Sequence, residues 1–195
     1  MRAWKFAASA VMITLLSVGC VAPKGATLQQ KRDYALSMRD KSLKTLYEKE
    51  PGAKSVVEQS AGYAVFEEFG LGLGFLGSAN GYAPVTDNKT KQVTYMKTFQ
   101  ISPGFGIGGK SYRTIVVFGD NEAMKAFLDN PWESGAEADA AFKFGETGGA
   151  LCSAGSFNGK LKVYQFTDGG IMLRADIPIQ KYWQDDELNG IAKKK

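Results

Sequence analysis

Gly62-Tyr63-Ala64-Val65-Phe66-Glu67-Glu68-Phe69-Gly70-Leu71-Gly72-Leu73-Gly74-Phe75 is the stretch on which the fold turns. Before it the apolar residues recur at helical spacing; from Gly62 onward they alternate with a period of two, the spacing of a strand with one face buried. The stretch reads as two strands, Gly62 to Phe69 and Gly70 to Phe75, and the same period continues through Gln92 to Ile101, Gly104 to Gly108, Tyr112 to Phe118, Ala136 to Phe144, Lys160 to Phe166 and Ile171 to Ile177. Turn signals such as Asp87-Asn88 and Asp168-Gly169-Gly170 separate these runs, so an antiparallel sheet is expected. One helix interrupts it. Asp120 is its N-cap, Ala123, Met124, Phe127 and Leu128 form its apolar face, and Asn130-Pro131 ends it.

Upstream, Leu28 to Tyr47 contains neither Gly nor Pro and sets Leu28, Ala35, Leu43 and Leu46 on one side, the pattern of an amphipathic helix closed by Pro51-Gly52. A second short helix is expected over Ala53 to Gln59, and a last one over Tyr182 to Leu188. The fold class is therefore α+β: N-terminal helices, then a mostly antiparallel, glycine-rich sheet with one inserted helix.

The glycines are informative. There are 23 in 195 residues against 6 prolines, so the excess does not mark a Pro/Gly-rich linker. Gly70, Gly72 and Gly74 alternate with Leu71, Leu73 and Phe75, and Gly104, Gly106 and Gly108 with Phe105 and Ile107, leaving one face of bare backbone. Such stripes occur where a sheet bends sharply, where another backbone packs closely, or where a ligand lies along the wall. Two phosphate-loop patterns arise from the same residues. Gly104 to Ser111 satisfies G-x-x-x-x-G-K-S, and Gly72 to Gly77 satisfies G-x-G-x-x-G. Both need a helix to follow, so that its N-terminal amides meet the phosphates. Tyr112 to Phe118 is β-branched and alternating instead, and no nucleotide is expected.

Histidine is absent, so no imidazole can serve as base or metal ligand, and the usual nucleophile–histidine relays cannot be built. Paired acids exist at Glu67-Glu68 and Asp185-Asp186, but neighbouring residues of a strand point to opposite faces. No catalysis, metal or cofactor is expected.

The N-terminus reads as an export signal. Arg2 and Lys5 precede the uncharged run Phe6 to Val18, thirteen residues, too short to span a bilayer. Ser17-Val18-Gly19-Cys20 then resembles the lipobox of bacterial lipoproteins, with Ser17 where Leu is preferred. On that reading residues 1–19 are cut off and Cys20 receives diacylglycerol, which with a further acyl chain exceeds the two signals that stable anchoring requires. Cleavage after Gly19 by ordinary signal peptidase is the alternative. Residues 20–27 would be a tether, residues 28–195 a single domain, and Cys152 a buried inert thiol. Val21 in place of Asp after the cysteine suits outer-membrane placement facing the periplasm.

The net charge of +4 is unevenly distributed. Residues 20 to 54 hold eight Lys/Arg against four Asp/Glu, residues 55 to 192 eleven against sixteen, and three lysines close the chain. An acidic body with basic ends does not suit nucleic acid, which is tracked by a basic folded face, and suits an anionic membrane surface better. Arg32 and Arg39 lie near the apolar stripe of the first helix. Either their stems lie along the core with the heads reaching outward, or they join Lys31, Lys41 and Lys44 in meeting lipid phosphates.

In order, Ala61-Gly62-Tyr63-Ala64-Val65-Phe66, the glycine-striped strand, Gly104 to Gly109 leading into Ile115-Val116-Val117-Phe118, the helix Glu122 to Leu128, Gly135 to Ala140, and Tyr164 to Ile171 resemble the SYLF domain. The resemblance covers about residues 36 to 190. It implies a lipid-binding domain, with eukaryotic relatives that bind phosphoinositides through a basic amphipathic helix and fungal ones that bind actin. Export makes actin an unexpected partner here. The expectation is a periplasmic lipoprotein that binds membrane phospholipid, with Lys31, Arg32, Arg39, Lys41 and Lys44 meeting headgroups. The alternative is a structural or scaffolding lipoprotein that acts through an envelope protein.

Overall fold

A computed structural model describes residues 21–129, 132–134, 161–167, 170–171 and 179–191. The expected strands Ala136 to Phe144 and most of Ile171 to Ile177 lie outside these residues, as do Cys20 and Cys152. The element order is α1 (Leu28–Lys49), α2 (Ala53–Gln59), β1 (Gly62–Asp87), β2 (Val93–Phe118), α3 (Asn121–Asp129), β3 (Trp132–Ser134), β4 (Leu161–Thr167), β5 (Gly170–Ile171), β6 (Ile179–Gln184) and α4 (Asp186–Asn189). The six strands form one antiparallel sheet, and the class is α+β as expected.

What the sequence reads as five separate strands is a single hairpin of two 26-residue strands. At about 3.3 Å per residue a straight strand of that length would run about 85 Å, roughly twice the width of a globule of this size. The ribbon therefore doubles over. Its register with β2 slips between Gly74 and Leu76. Gly74 (φ 78°) and Gly108 (φ 152°) take the positive φ that other residues avoid. Of the explanations for the glycine stripes, these two positions meet the bend: a Cβ on either would meet nothing within 4 Å.

Past the bend, the second half of β1 returns against the first. A Cβ on Gly81 would collide with the carbonyl oxygen of Glu67, and one on Gly70 would sit 3.6 Å from the Ala79 side chain. The hairpin turn comes back to the start of the ribbon, where Asn88 N–H donates to Ala61 O at 2.9 Å and Asn88 Nδ2 donates to Val57 O at 2.7 Å. On its other edge β2 pairs with β4 through Arg113–Phe118 and with β6 through Met96–Ile101.

Alternation then sorts the side chains into two cores. One lies between the halves of the ribbon: Ala64, Phe66, Val116 and Phe118 from one half, Ala83, Val85 and Met96 from the other, closed by Ala123, Met124 and Phe127 of α3. The Phe127 ring lies 5.2 Å from those of both Phe118 and Tyr182, tilted against each. The opposite face packs Val65, Ile115 and Val117, with Tyr82 and Tyr95, under Ala35, Met38, Leu43 and Leu46 of α1 and Val57 of α2. Asp120 caps α3 as expected, accepting from Ala123 N–H at 2.7 Å.

Two expectations change. Residues 179–184 form a strand where the sequence suggested the start of a helix. Pairing with β2 takes up their backbone, and the helix begins only after Asp185, whose carboxylate accepts from Leu188 N–H. The segment read as a tether is laid on the body: Val21 N–H donates to Asn80 Oδ1 at 2.6 Å, Pro23 is buried, and Lys24 lies over the Tyr34 ring.

Candidate membrane-facing site

The first helix positions every residue expected to meet headgroups. Thr27 caps it and exchanges hydrogen bonds with Gln30 in a capping box, which satisfies donors that the helix itself leaves open. Its buried stripe of Ala35, Met38, Leu43 and Leu46 then fixes its rotation on the sheet.

That rotation divides the five cations. Arg32 donates through Nε and Nη2 to the carbonyl oxygen of Leu188, at 2.9 and 2.6 Å. Arg39 donates to Thr86 Oγ1 at 3.1 Å and to Asp40 at 2.8 Å. Both arginines use their heads on the chain's own acceptors while their stems run along the core. Lys31 pairs with Glu187 at 2.7 Å. Lys41 is exposed, and Lys44 is 79% exposed with Glu48 4.0 Å away, a separation worth little in water. Of the five, only Lys41 and Lys44 face outward and are not engaged with a distant element.

Beside Lys44 a shallow groove of about 530 Å³ is lined by Asp40, Leu43, Lys44, Tyr47 and Glu48. Leu43 and Tyr47 give it an apolar floor; the charged groups stand at its rim. The Tyr47 hydroxyl is pushed up to about 12, by burial first and then by Tyr63 and Glu58, so it remains a neutral donor at physiological pH. The groove thus offers an apolar floor at Leu43 and Tyr47, with one cation, Lys44, and two carboxylates, Asp40 and Glu48, at its rim.

The paired acids separate as strand geometry requires. Glu67 takes the Tyr82 hydroxyl at 2.5 Å and lies 3.4 Å from Arg113, on the α1 face. Glu68 points into the space between the ribbon halves, is 2% exposed, and accepts from Thr114 Oγ1 at 2.8 Å. Asp185 is buried and 3.1 Å from Lys97, whereas Asp186 is exposed. Neither pair converges on one point. Lys110 and Ser111, the last residues of the phosphate-loop pattern, are paired with Gly70 and Phe69 inside the hairpin, and the chain continues as strand.

The sequence gives no warning of the polar patch inside the fold, where Thr98, Gln100 and Gln165 are buried on the same concave face as Glu68. Gln165 Nε2 donates to Thr114 Oγ1 at 3.0 Å, linking β4 to the Thr114–Glu68 pair. Only the pairing of β2 with β4 and β6, absent from any local pattern, brings these residues together.

No family model matches the chain. A curated protein of Aeromonas veronii, Beta cell expansion factor A, is 32% identical over 162 residues, which cover 83% of this chain and 60% of the relative. The chain thus spans about three fifths of the length of a protein it resembles over most of its own.

Proposed function

We propose that this chain is an exported lipoprotein that binds membrane phospholipid, anchored through Cys20 in the outer membrane and facing the periplasm, with no catalytic step of its own. The observation that carries the reading is the groove of α1: an apolar floor of Leu43 and Tyr47 with Lys44 at its rim and Lys41 on the same helix. The headgroup role narrows to these two lysines, because Arg32, Arg39 and Lys31 hold the fold together. The sequence resemblance to the SYLF domain supports the same reading.

Flotation of the exported protein carrying Cys20→Ser, with vesicles of neutral phosphatidylcholine or of phosphatidylcholine mixed with phosphatidylglycerol, tests it. Expected is binding that increases with anionic lipid, falls with salt, and drops several-fold in Lys41→Glu/Lys44→Glu. Failure to float with any composition, or binding indifferent to the charge reversal, overturns the headgroup assignment. The Aeromonas relative supplies a second reading, in which the shared 162 residues carry part of the action its name describes. Growth of cultured beta cells on addition of the Cys20→Ser protein would favour it.

A further inference from the structure

Among the described residues, most of the exposed large apolar side chains gather at the bend of the ribbon. Phe75 is 83% exposed and Leu76 51%, and Phe99 and Ile101 on the paired strand are 43% and 44% exposed. The register sets Ile101 opposite Ser78 and Phe99 opposite Asn80, so that Leu76, Ile101 and Phe99 share one face of the ribbon. From Phe69 to Gly81 there is no charged residue, and from Thr98 to Tyr112 only Lys110. A stretch this long, apolar and nearly uncharged stands out on a body that elsewhere carries more acids than bases.

The start of the described chain lies at this same end. Val21 N–H is bonded to Asn80 Oδ1, and Asn80 is paired with Phe99. Cys20, the residue to which acyl chains would be joined, is one peptide bond from Val21. The hairpin turn at Asn88 lies at the opposite end of the folded ribbon, against Ala61 and Val57. A tether of free length would let the anchored body take any orientation. A first residue fixed beside the bend holds the bend at the bilayer.

We propose that the bend is a membrane-inserting wedge, in which Phe75 and Leu76, backed by Phe99 and Ile101, enter the leaflet that holds the Cys20 acyl chains. This rests on the lipid reading above and deepens it: the partner of this surface is the hydrocarbon and interfacial layer of phospholipid, whatever its headgroup. Burial of an exposed Phe or Leu side chain is worth about tenfold or more in partitioning. Hydrophobic insertion is not screened by salt, whereas a lysine–phosphate contact is.

The test uses the exported protein carrying Cys20→Ser and vesicles of neutral phosphatidylcholine at high salt. Expected is retained binding that Phe75→Ser/Leu76→Ser lowers about tenfold or more. Leu28→Ser, which removes an apolar side chain 41% exposed at the start of α1, should leave it unchanged. Because both bend residues are exposed, the double variant should keep the parent's thermal midpoint. As a second readout, the acylated protein with Phe75→Trp is reconstituted in brominated phosphatidylcholine. Its added fluorescence should be quenched, and that of Leu28→Trp should not. Equal binding by parent and double variant, or equal quenching at both sites, overturns the wedge while salt-sensitive binding through Lys41 and Lys44 could still stand. A dimer in solution that Phe75→Ser/Leu76→Ser dissociates, with no quenching at position 75, also overturns it and makes a second copy the occupant.

Discussion

Gly81 has no room for a side chain: the first atom of one would run into the Glu67 carbonyl, which is backbone and cannot swing aside. Gly81→Ala is expected to cost about 1–3 kcal/mol or more by overpacking. Gly52, with nothing within 4 Å and an ordinary helical φ, should accept Ala with no loss. Urea denaturation of the two variants checks the contrast. At Asp87 the backbone N–H of Thr90, and then that of Lys89, hold the carboxyl below its usual 3.8. A carboxyl lowered in the folded state stabilises above its unfolded pKa and loses that contribution as pH falls through the folded one. Asp87→Ala should therefore be less stable than the parent at pH 7, with the gap closing below about pH 3.8. Tyr82 shows the opposite sign: burial, then the hydrogen bond to Glu67, raises its hydroxyl far above 10. Its contribution is complete below pH 10 and is lost only in strong alkali, so Tyr82→Phe should flatten the alkaline limb of the stability profile. In sequence Gly52 already reads as a helix stop, whereas nothing marks Gly81; its close approach comes from residues fourteen positions apart on one folded strand.

Among the elements, the helices were the most legible. Asp120 caps α3 as expected, because capping depends on residues three or four apart; the capping box joins Thr27, in the segment read as a tether, to Gln30. Thr27→Ala is expected to cost about 1 kcal/mol, measurable as a lowered unfolding midpoint, and Gln30→Ala less. The strands were legible as period and illegible as length. The strand reading ends at Phe75, yet β1 runs on through Gly77, Gly81 and Pro84 to Asp87. Pro84 is tolerated for a physical reason. It faces Tyr95, whose N–H and carbonyl are engaged on the other side by Asn189 and Asp185, so this is a pair that exchanges no hydrogen bonds across the hairpin. Strand β6 was missed because its partner lies some eighty residues away in sequence.

For the whole molecule, charge proved a weaker guide than packing. Arg32 looked like a lipid contact from its place on a helical wheel, and it joins the first helix to the last instead. Arg32→Gln should lose about 1.5–3 kcal/mol, with faster amide exchange in residues 185–191 and unchanged vesicle binding. Lys41→Glu/Lys44→Glu should do the reverse, changing binding and not stability. In the function proposed above, the orientation of the body on a bilayer depends on a feature no sequence pattern announced, the fixing of Val21 beside the bend. Amide hydrogen exchange of the Cys20→Ser protein with and without phosphatidylcholine–phosphatidylglycerol vesicles tests that orientation most directly. The expected result is vesicle-dependent protection confined to residues 69–81 and 98–112 and to the outer face of α1, with the turn at 88–92 unchanged. Protection at the turn in place of the bend, or no protection anywhere, would contradict it.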